Sequence, residues 1–480
     1  MEVRKIVLRL AILTCVVLQG CGSSDGDSEV MPVIHWSTSA DEAGQSATLL
    51  VPMNRSVDDG TQVALALRRY PASGTKRGSI VLNPGGPGAS AVDYLDDFVD
   101  TSLGQRLRAH FDLLAFDPRG VGYSTQVRCA DDPLPYVAID KNPQTAFEYR
   151  SMVDVIQDYN ARCAAMSGEL LKHVSTMDVV RDMELIRLAL DEGPLNYIGF
   201  SYGTRIGALY ADTYPQNVRA MVLDGVSPPS LTLLELTLGQ TEGYEKSLNA
   251  FLAACARNSA CRFGDGNPEH ALTVLLANLK QQALPAGTNQ VLTYGAAHYA
   301  LMLGTYGEFY WEWLEDALAG AQEGDGSELL AMTQHYFMRN SDGSYPNAVD
   351  VFYAVNCLDS AAPSAAEIQS QLAGVSAKYP FFGAMMMNDM LYCTYWPVPS
   401  RPPYGKARAT GAPPIMVVGT TGDPATPYAW SQRLATELDA SFLVTFEGEM
   451  HTAGGASTCV DARYEQYLLS PQAGFSDLMC

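Results

Sequence analysis

Short apolar runs alternate with amphipathic stretches in two parts of the chain, at 63–67, 80–83, 113–117, 195–199 and 220–224, then again at 415–419 and 442–446. Runs this compact predict strands of a buried, mostly parallel sheet, and the stretches between them predict the helices that wrap it. In 177–190, Val179, Val180, Met183, Leu188 and Ala189 stand among Arg181, Asp182, Glu184 and Arg187, so a helix leads straight into the 195–199 strand. The expected fold class is α/β.

Between Asp224 and Ile415 the strand rhythm lapses and the composition turns helical, with Pro228-Pro229 opening the region and Pro402-Pro403 and Pro413-Pro414 near its close. A chain of 480 residues, 47% of them hydrophobic, is long enough to bury a large core and carry such an insertion. The expected organisation is a core over 46–226, an insertion over 227–410 and the remainder of the core over 411–480.

The first residues follow a different pattern. Arg4, Lys5 and Arg9 precede an apolar stretch at 10–18 that ends in Leu18-Gln19-Gly20-Cys21. This predicts a signal peptide over 1–20, shorter than the roughly 20 apolar residues of a spanning helix. Cleavage before Cys21 and acylation of its thiol would leave 21–45 as a lipidated flexible tether. The protein would then be exported and held at a bacterial envelope through Cys21, on the outer membrane of a Gram-negative host because residue 22 is Gly and not Asp. An ordinary secretory signal with a chance cysteine is the plainer alternative.

Of ten cysteines, Cys15 leaves with the signal and Cys21 carries lipid, so Cys129, Cys163, Cys255, Cys261, Cys357, Cys393, Cys459 and Cys480 remain. An even number in an oxidising compartment argues for disulfides. No Cys-x-x-Cys or His-x-x-x-His spacing exists, so no metal is expected.

The candidate chemistry centres on Gly199-Phe200-Ser201-Tyr202-Gly203, set between a predicted strand and an amphipathic stretch opening at Thr204. A Gly-x-Ser-x-Gly segment in that setting is a nucleophile elbow, a sharp turn that lifts the serine hydroxyl above the sheet edge. By itself the pentapeptide could also be a turn whose serine bonds its own backbone. A serine hydroxyl near neutral pH needs a histidine base and an acid to orient it, in the chain order Ser, Asp or Glu, His. Asp423 follows the 415–419 run and His451 follows the 442–446 run, both on loops at strand ends. Asp359 is the rival acid.

The oxyanion of an acyl-transfer intermediate needs two backbone N–H donors. The strand at 80–83 runs into Pro84-Gly85-Gly86-Pro87-Gly88, whose glycines admit close backbone approach. Gly86, or alternatively Gly85, is expected to give one amide and Tyr202 the other. A phosphate cradle would need the lysine and Ser/Thr of a P-loop, which are missing.

In combination, NPGGPG at 83–88, FDPRGVGYS at 116–124, GFSYG at 199–203, LDGV at 223–226 and Asp423 with His451 resemble the α/β-hydrolase serine exopeptidases, in the proline iminopeptidase and tripeptidyl aminopeptidase branch. The resemblance runs from about residue 47 to Cys480 and includes a cysteine-closed C-terminal segment of the tripeptidyl aminopeptidase kind. It implies an α/β-hydrolase fold with the insertion as a helical cap, and cleavage near the free N-terminus of peptides without a cofactor. Together with their sequential grouping, it also favours pairing the cysteines as 129 with 163, 255 with 261, 357 with 393, and 459 with 480. A carboxylesterase or lipase with the same triad, and a non-catalytic surface-binding lipoprotein that keeps the fold, are the other readings.

The formal net charge is −22, and loss of residues 1–20 takes away a net +2, leaving about −24. Nucleic acid is excluded as a partner, because phosphate contacts need clustered Lys and Arg. From Pro228 to Ser400 there are 17 acidic and 6 basic residues. A cap carboxylate beside aromatic rings would suit a peptide ammonium. The stretch from Tyr306 to Asp316 offers Glu308, Glu312 and Glu315, although its aromatics equally suit a core and its acids a solvated helix face. Oligomeric state is not legible.

Overall fold

The computed structural model describes residues 33–38, 44–57 and 59–480. The leader and Cys21 lie outside the described residues. Among the described residues the strands are β1 Ser37–Thr38, β2 Gln45–Pro52, β3 Gln62–Tyr70, β4 Ser79–Asn83, β5 Asp112–Phe116, β6 Leu195–Phe200, β7 Val218–Asp224, β8 Leu284–Pro285, β9 Val291–Leu292, β10 Ile415–Thr420, β11 Ser441–Phe446 and β12 Leu478–Met479. Ten form one sheet in the order β1-β2-β3-β5-β4-β6-β7-β10-β11-β12. Pairing is antiparallel from β1 to β5 and parallel from β5 through β12.

The parallel strands bury both faces, which is why they read as unbroken apolar runs. Along β4, Ile80 and Leu82 join one apolar layer while Val81 joins the other, and along β10 Met416 and Val418 oppose Ile415 and Val417. This period of two splits one run between two cores. Helices Ala91–Phe98, Ser102–Arg108 and Thr458–Leu469 cover the first layer, through Leu95, Leu103, Leu107, Val460 and Tyr464. Helices Thr176–Leu190, Tyr202–Thr213 and Tyr428–Glu437 cover the second, through Val179, Val180, Ile206 and Leu434. All seven runs found in the sequence are strands, with no end moved by more than three residues. Strand β2 was hidden because its outward positions stay exposed, so its sequence is mixed. The sheet also begins earlier than residue 46: Ser37 pairs with Ser46, and Ile34 is buried in the core.

Between β7 and β10 the chain is helical apart from the short β8–β9 hairpin. Its long first helix, Leu233–Arg257, starts at a capping box of Thr232 and Glu235. A second excursion, between β5 and β6, joins this roof. Tyr159 donates to Asp350 Oδ1 at 2.6 Å, Asn160 Nδ2 to the Tyr392 carbonyl at 2.8 Å, and Lys141 Nζ to Asp389 Oδ1 at 2.5 Å. Arg119, fully buried, anchors the start of that excursion through Asp182 and the carbonyls of Pro52, Met53 and His173. Among the described residues, disulfides join Cys129 to Cys163, Cys255 to Cys261, Cys357 to Cys393 and Cys459 to Cys480. The last ties the helix Thr458–Leu469 to the end of the chain beside β12.

Candidate active site

Strand register brings one set of loops together. Asn83 lies beside Gly199, Phe200 beside Asp224, Val418 beside Asp224, and Thr420 beside Phe446. The carboxyl ends of β4, β6, β7, β10 and β11 thus share one edge of the sheet, where α/β proteins place their ligands. The loops leaving β4, β6, β10 and β11 there carry Gly86, Ser201, Asp423 and His451.

Ser201 stands between β6 and the helix Tyr202–Thr213 at φ 55°, ψ −125°, a backbone state that L-residues rarely adopt. Its N–H donates to the Asp224 carbonyl at 2.9 Å, and its own carbonyl accepts from Thr204 N–H at 2.9 Å. Both flanking glycines are obligatory for want of space. A Cβ on Gly203 would lie 2.6 Å from the Asn83 carbonyl oxygen, and one on Gly199 would lie 2.4 Å from that of Gly203.

Asp423 is buried and heavily bonded. It accepts from the amides of Ala425 at 3.0 Å and Thr426 at 2.8 Å, from Thr426 Oγ1 at 2.9 Å, and from His451 Nδ1 at 2.9 Å. A carboxylate only accepts, so His451 Nδ1 carries the proton and Nε2 the lone pair. Burial is the largest single influence on the imidazole and pulls its pKa down. The charge and hydrogen bond of Asp423, with the charge of Asp224, outweigh it and hold His451 above its ordinary value. Ser201, His451 and Gly86 all line one cavity of about 470 Å³.

The Gly85 amide is engaged by Asn83 Oδ1 at 3.0 Å, whereas Gly86, at φ 106°, lines the cavity. A Cβ on Gly85 would lie 2.9 Å from the Tyr202 nitrogen, so this turn and the first amide of the helix after Ser201 are packed against each other. The Tyr202 ring points away and is held by Thr176 Oγ1 at 2.6 Å. Asp359 sits behind it, accepting from Thr176 and Tyr404, and makes no contact with His451.

Asp224 was named in the sequence only as part of a motif. It is fully buried, accepts from the amides of Ala453 and Gly454 and from Tyr464 Oη, and burial raises its pKa. It binds the loop after His451 to the turn that holds Ser201. A buried acid at a strand's carboxyl end, immediately before a glycine, was the available signal. Asp117 of the FDPRGVGYS segment has a similar task, accepting from Ser90 Oγ and from the Val92 and Tyr123 amides.

Overhead, Tyr306, Phe309 and Tyr310 of the stretch singled out in the sequence do line the cavity, but Glu308, Glu312 and Glu315 do not. The acid in the wall is Asp389, and Tyr299, Phe352, Tyr353, Met385 and Met386 line the same cavity. Asp389 Oδ1 takes bonds from Lys141 Nζ and, at 2.9 Å, from Tyr353 Oη, and its side chain remains 24% exposed. Lys141 is buried, also reaches Tyr299 Oη at 2.9 Å, and lies over the Tyr299 and Tyr392 rings.

The model of a family described as the alpha/beta hydrolase fold matches residues 78–454. Among curated relatives, the serine protease Hip1 of Mycobacterium tuberculosis is 34% identical over 90% of this chain and 86% of its own. A carboxylesterase B of the same species is 34% identical over 96% and 92%, and a tripeptidyl aminopeptidase of Streptomyces lividans 29% over 91% and 83%. With a buried Asp–His pair, a strained serine and glycine amides gathered at the carboxyl edge of a mostly parallel sheet, this chain belongs to the α/β hydrolase fold family.

Proposed function

We propose that the protein is a serine aminopeptidase that removes a short N-terminal piece from peptides through an acyl-enzyme on Ser201. His451 takes the Ser201 proton as the hydroxyl attacks the scissile carbonyl, Asp423 holds the imidazole tautomer, and the Gly86 and Tyr202 amides receive the oxyanion. His451 then protonates the leaving amine, and water repeats the sequence on the ester.

The observation that carries the choice of substrate is Asp389. It puts a carboxylate, ringed by tyrosines, into the wall of an otherwise largely apolar cavity. Lys141 engages Oδ1, which leaves Oδ2 to meet a substrate ammonium. The relative named tripeptidyl aminopeptidase supports the same reading. The relative named carboxylesterase B favours the second reading, an esterase with the same triad, because fold and triad do not fix the acyl donor.

The deciding assay compares free and N-acetylated chromogenic peptides of one to three residues, using chain that starts after Cys21, with Ser201→Ala as control. The expected result is hydrolysis of free peptides only, abolished in Ser201→Ala, with Asp389→Asn raising KM roughly tenfold for free peptides. Equal activity on blocked peptides and simple esters would establish the esterase instead.

A further inference from the structure

Two of the large apolar side chains exposed on the described surface, Phe309 at 66% and Met338 at 44%, are also lining residues of the cavity that holds Ser201. Scattered exposed apolar groups are ordinary, but a pair at the lip of a site is not random placement. The position of Phe309 is fixed by its neighbours. A Cβ on Gly307 would lie 2.3 Å from the Phe309 ring, so the ring is folded over that glycine, and its centroid lies 4.5 Å from that of Tyr310.

The same glycine leads to the histidine loop. Gly307 bridges Met450, His451 N–H donates to the Tyr306 carbonyl at 2.9 Å, and Glu308 N–H donates to the Glu449 carbonyl at 3.3 Å. Phe309 therefore stands on the His451 side of the cavity, open to solvent. In the acyl-transfer sequence the leaving amine departs from this side, because His451 delivers its proton. On the proposed reading, in which the substrate ammonium meets Asp389, the acyl half of the substrate lies towards that carboxylate.

We infer that Phe309, with Met338 beside the same opening, forms the subsite for the first residue of the leaving peptide and selects a bulky apolar side chain there. This rests on the acyl-transfer reading of Ser201. Covering an exposed ring with a second apolar side chain removes apolar area from water on both partners. The preference belongs to acylation alone, since the leaving peptide has gone before water attacks the ester.

The test uses the folded chain after Cys21 and a series of free peptides alike up to the scissile bond, followed by Phe, Leu or Gly. Expected is a kcat/KM for Phe and Leu roughly tenfold above that for Gly, falling to near parity in Phe309→Ala and largely kept in Phe309→Leu. Hydrolysis of the matching methyl ester, which has no residue at that position, should be unchanged in both variants. Equal selectivity before and after Phe309→Ala, or an equal loss on the methyl ester, would overturn the subsite. A fluorophosphonate that labels Ser201 in all three proteins keeps these outcomes separate from failure of the hydrolase reading, which absence of labelling in the parent chain would establish.

Discussion

The floor and the roof of the cavity are built by different means. On the floor, Ser201, Asp423 and His451 are set by backbone: strand ends in register, amides donating to Asp423 and Asp224, and glycines whose Cβ would collide with carbonyl oxygens. In the roof, side chains do the setting. Tyr159, Tyr353 and Tyr392 pack ring on ring, and Lys141 is locked to Asp389 inside that aromatic box. Backbone placement holds a reacting atom to a fraction of an ångström, as acyl transfer demands. Side-chain placement lets the chamber's shape and charge change by substitution while the chemistry below persists.

The largest effect that would break this contrast is at the floor. Asp423→Asn keeps the shape but puts an amide donor where a carboxylate accepted from His451, so the tautomer is no longer fixed, and kcat should fall about 10⁴-fold with little change in thermal midpoint on the alkaline side of neutrality. A loss below tenfold would show that another group orients His451. Next comes the roof. Lys141→Met leaves the Asp389 carboxylate facing tyrosines without its cation, and denaturant unfolding should report a loss of about 3 kcal/mol. The turnover of a small neutral ester should stay within about threefold of the parent. An unchanged unfolding midpoint would remove the pair from the roof's supports.

The smallest effect sharpens the floor's electrostatics. Because Asp423 and Asp224 raise the His451 pKa against burial, the acid limb of kcat/KM should have its midpoint above the ordinary histidine value of about 6.5. In Asp423→Asn, residual activity should show that limb moved to lower pH. The sign for stability is opposite to that for activity. A raised folded-state pKa contributes stability that is fully present below the unfolded value and is lost as pH rises through the folded one. Parent and variant should therefore converge in stability on the alkaline side of neutrality, and a constant difference across pH would contradict the linkage.

The floor was far more legible in the sequence than the roof, for the same physical reason. The elbow, the glycine turn and the strand-then-loop settings of Asp423 and His451 are local patterns, each confined to a few consecutive residues. The structure brings Asp423 to His451 and opens Ser201 and His451 to one cavity. Asp389 has no such signature. It lies in Met387-Asn388-Asp389-Met390, and its place in the wall comes from Lys141, 248 residues upstream, and Tyr353. The acids at 308, 312 and 315 looked better because three carboxylates at helical spacing are visible in one glance at the chain. They do not line the cavity; the Glu315 carboxylate instead accepts the Arg262 amide at 2.9 Å. Likewise, Lys141, Tyr159 and Asn160 read as part of the core, and only long-range contacts show them to be roof.

The bridge from Gly307 to Met450 means that the roof is stitched to the loop that carries His451. If this part of the roof swung away it would pull on the His451 backbone, so on the proposed reading a productive complex forms with the roof in place, and a substrate that enters by the exposed Phe309 ring must thread in. Threading sorts molecules by topology. A loose chain end passes a narrow opening, while a loop anchored at both ends of a folded protein must enter as two strands abreast and is turned away. On the proposed aminopeptidase reading, this architecture would favour frayed ends and fragments over folded neighbours, with no inhibitor needed to spare them.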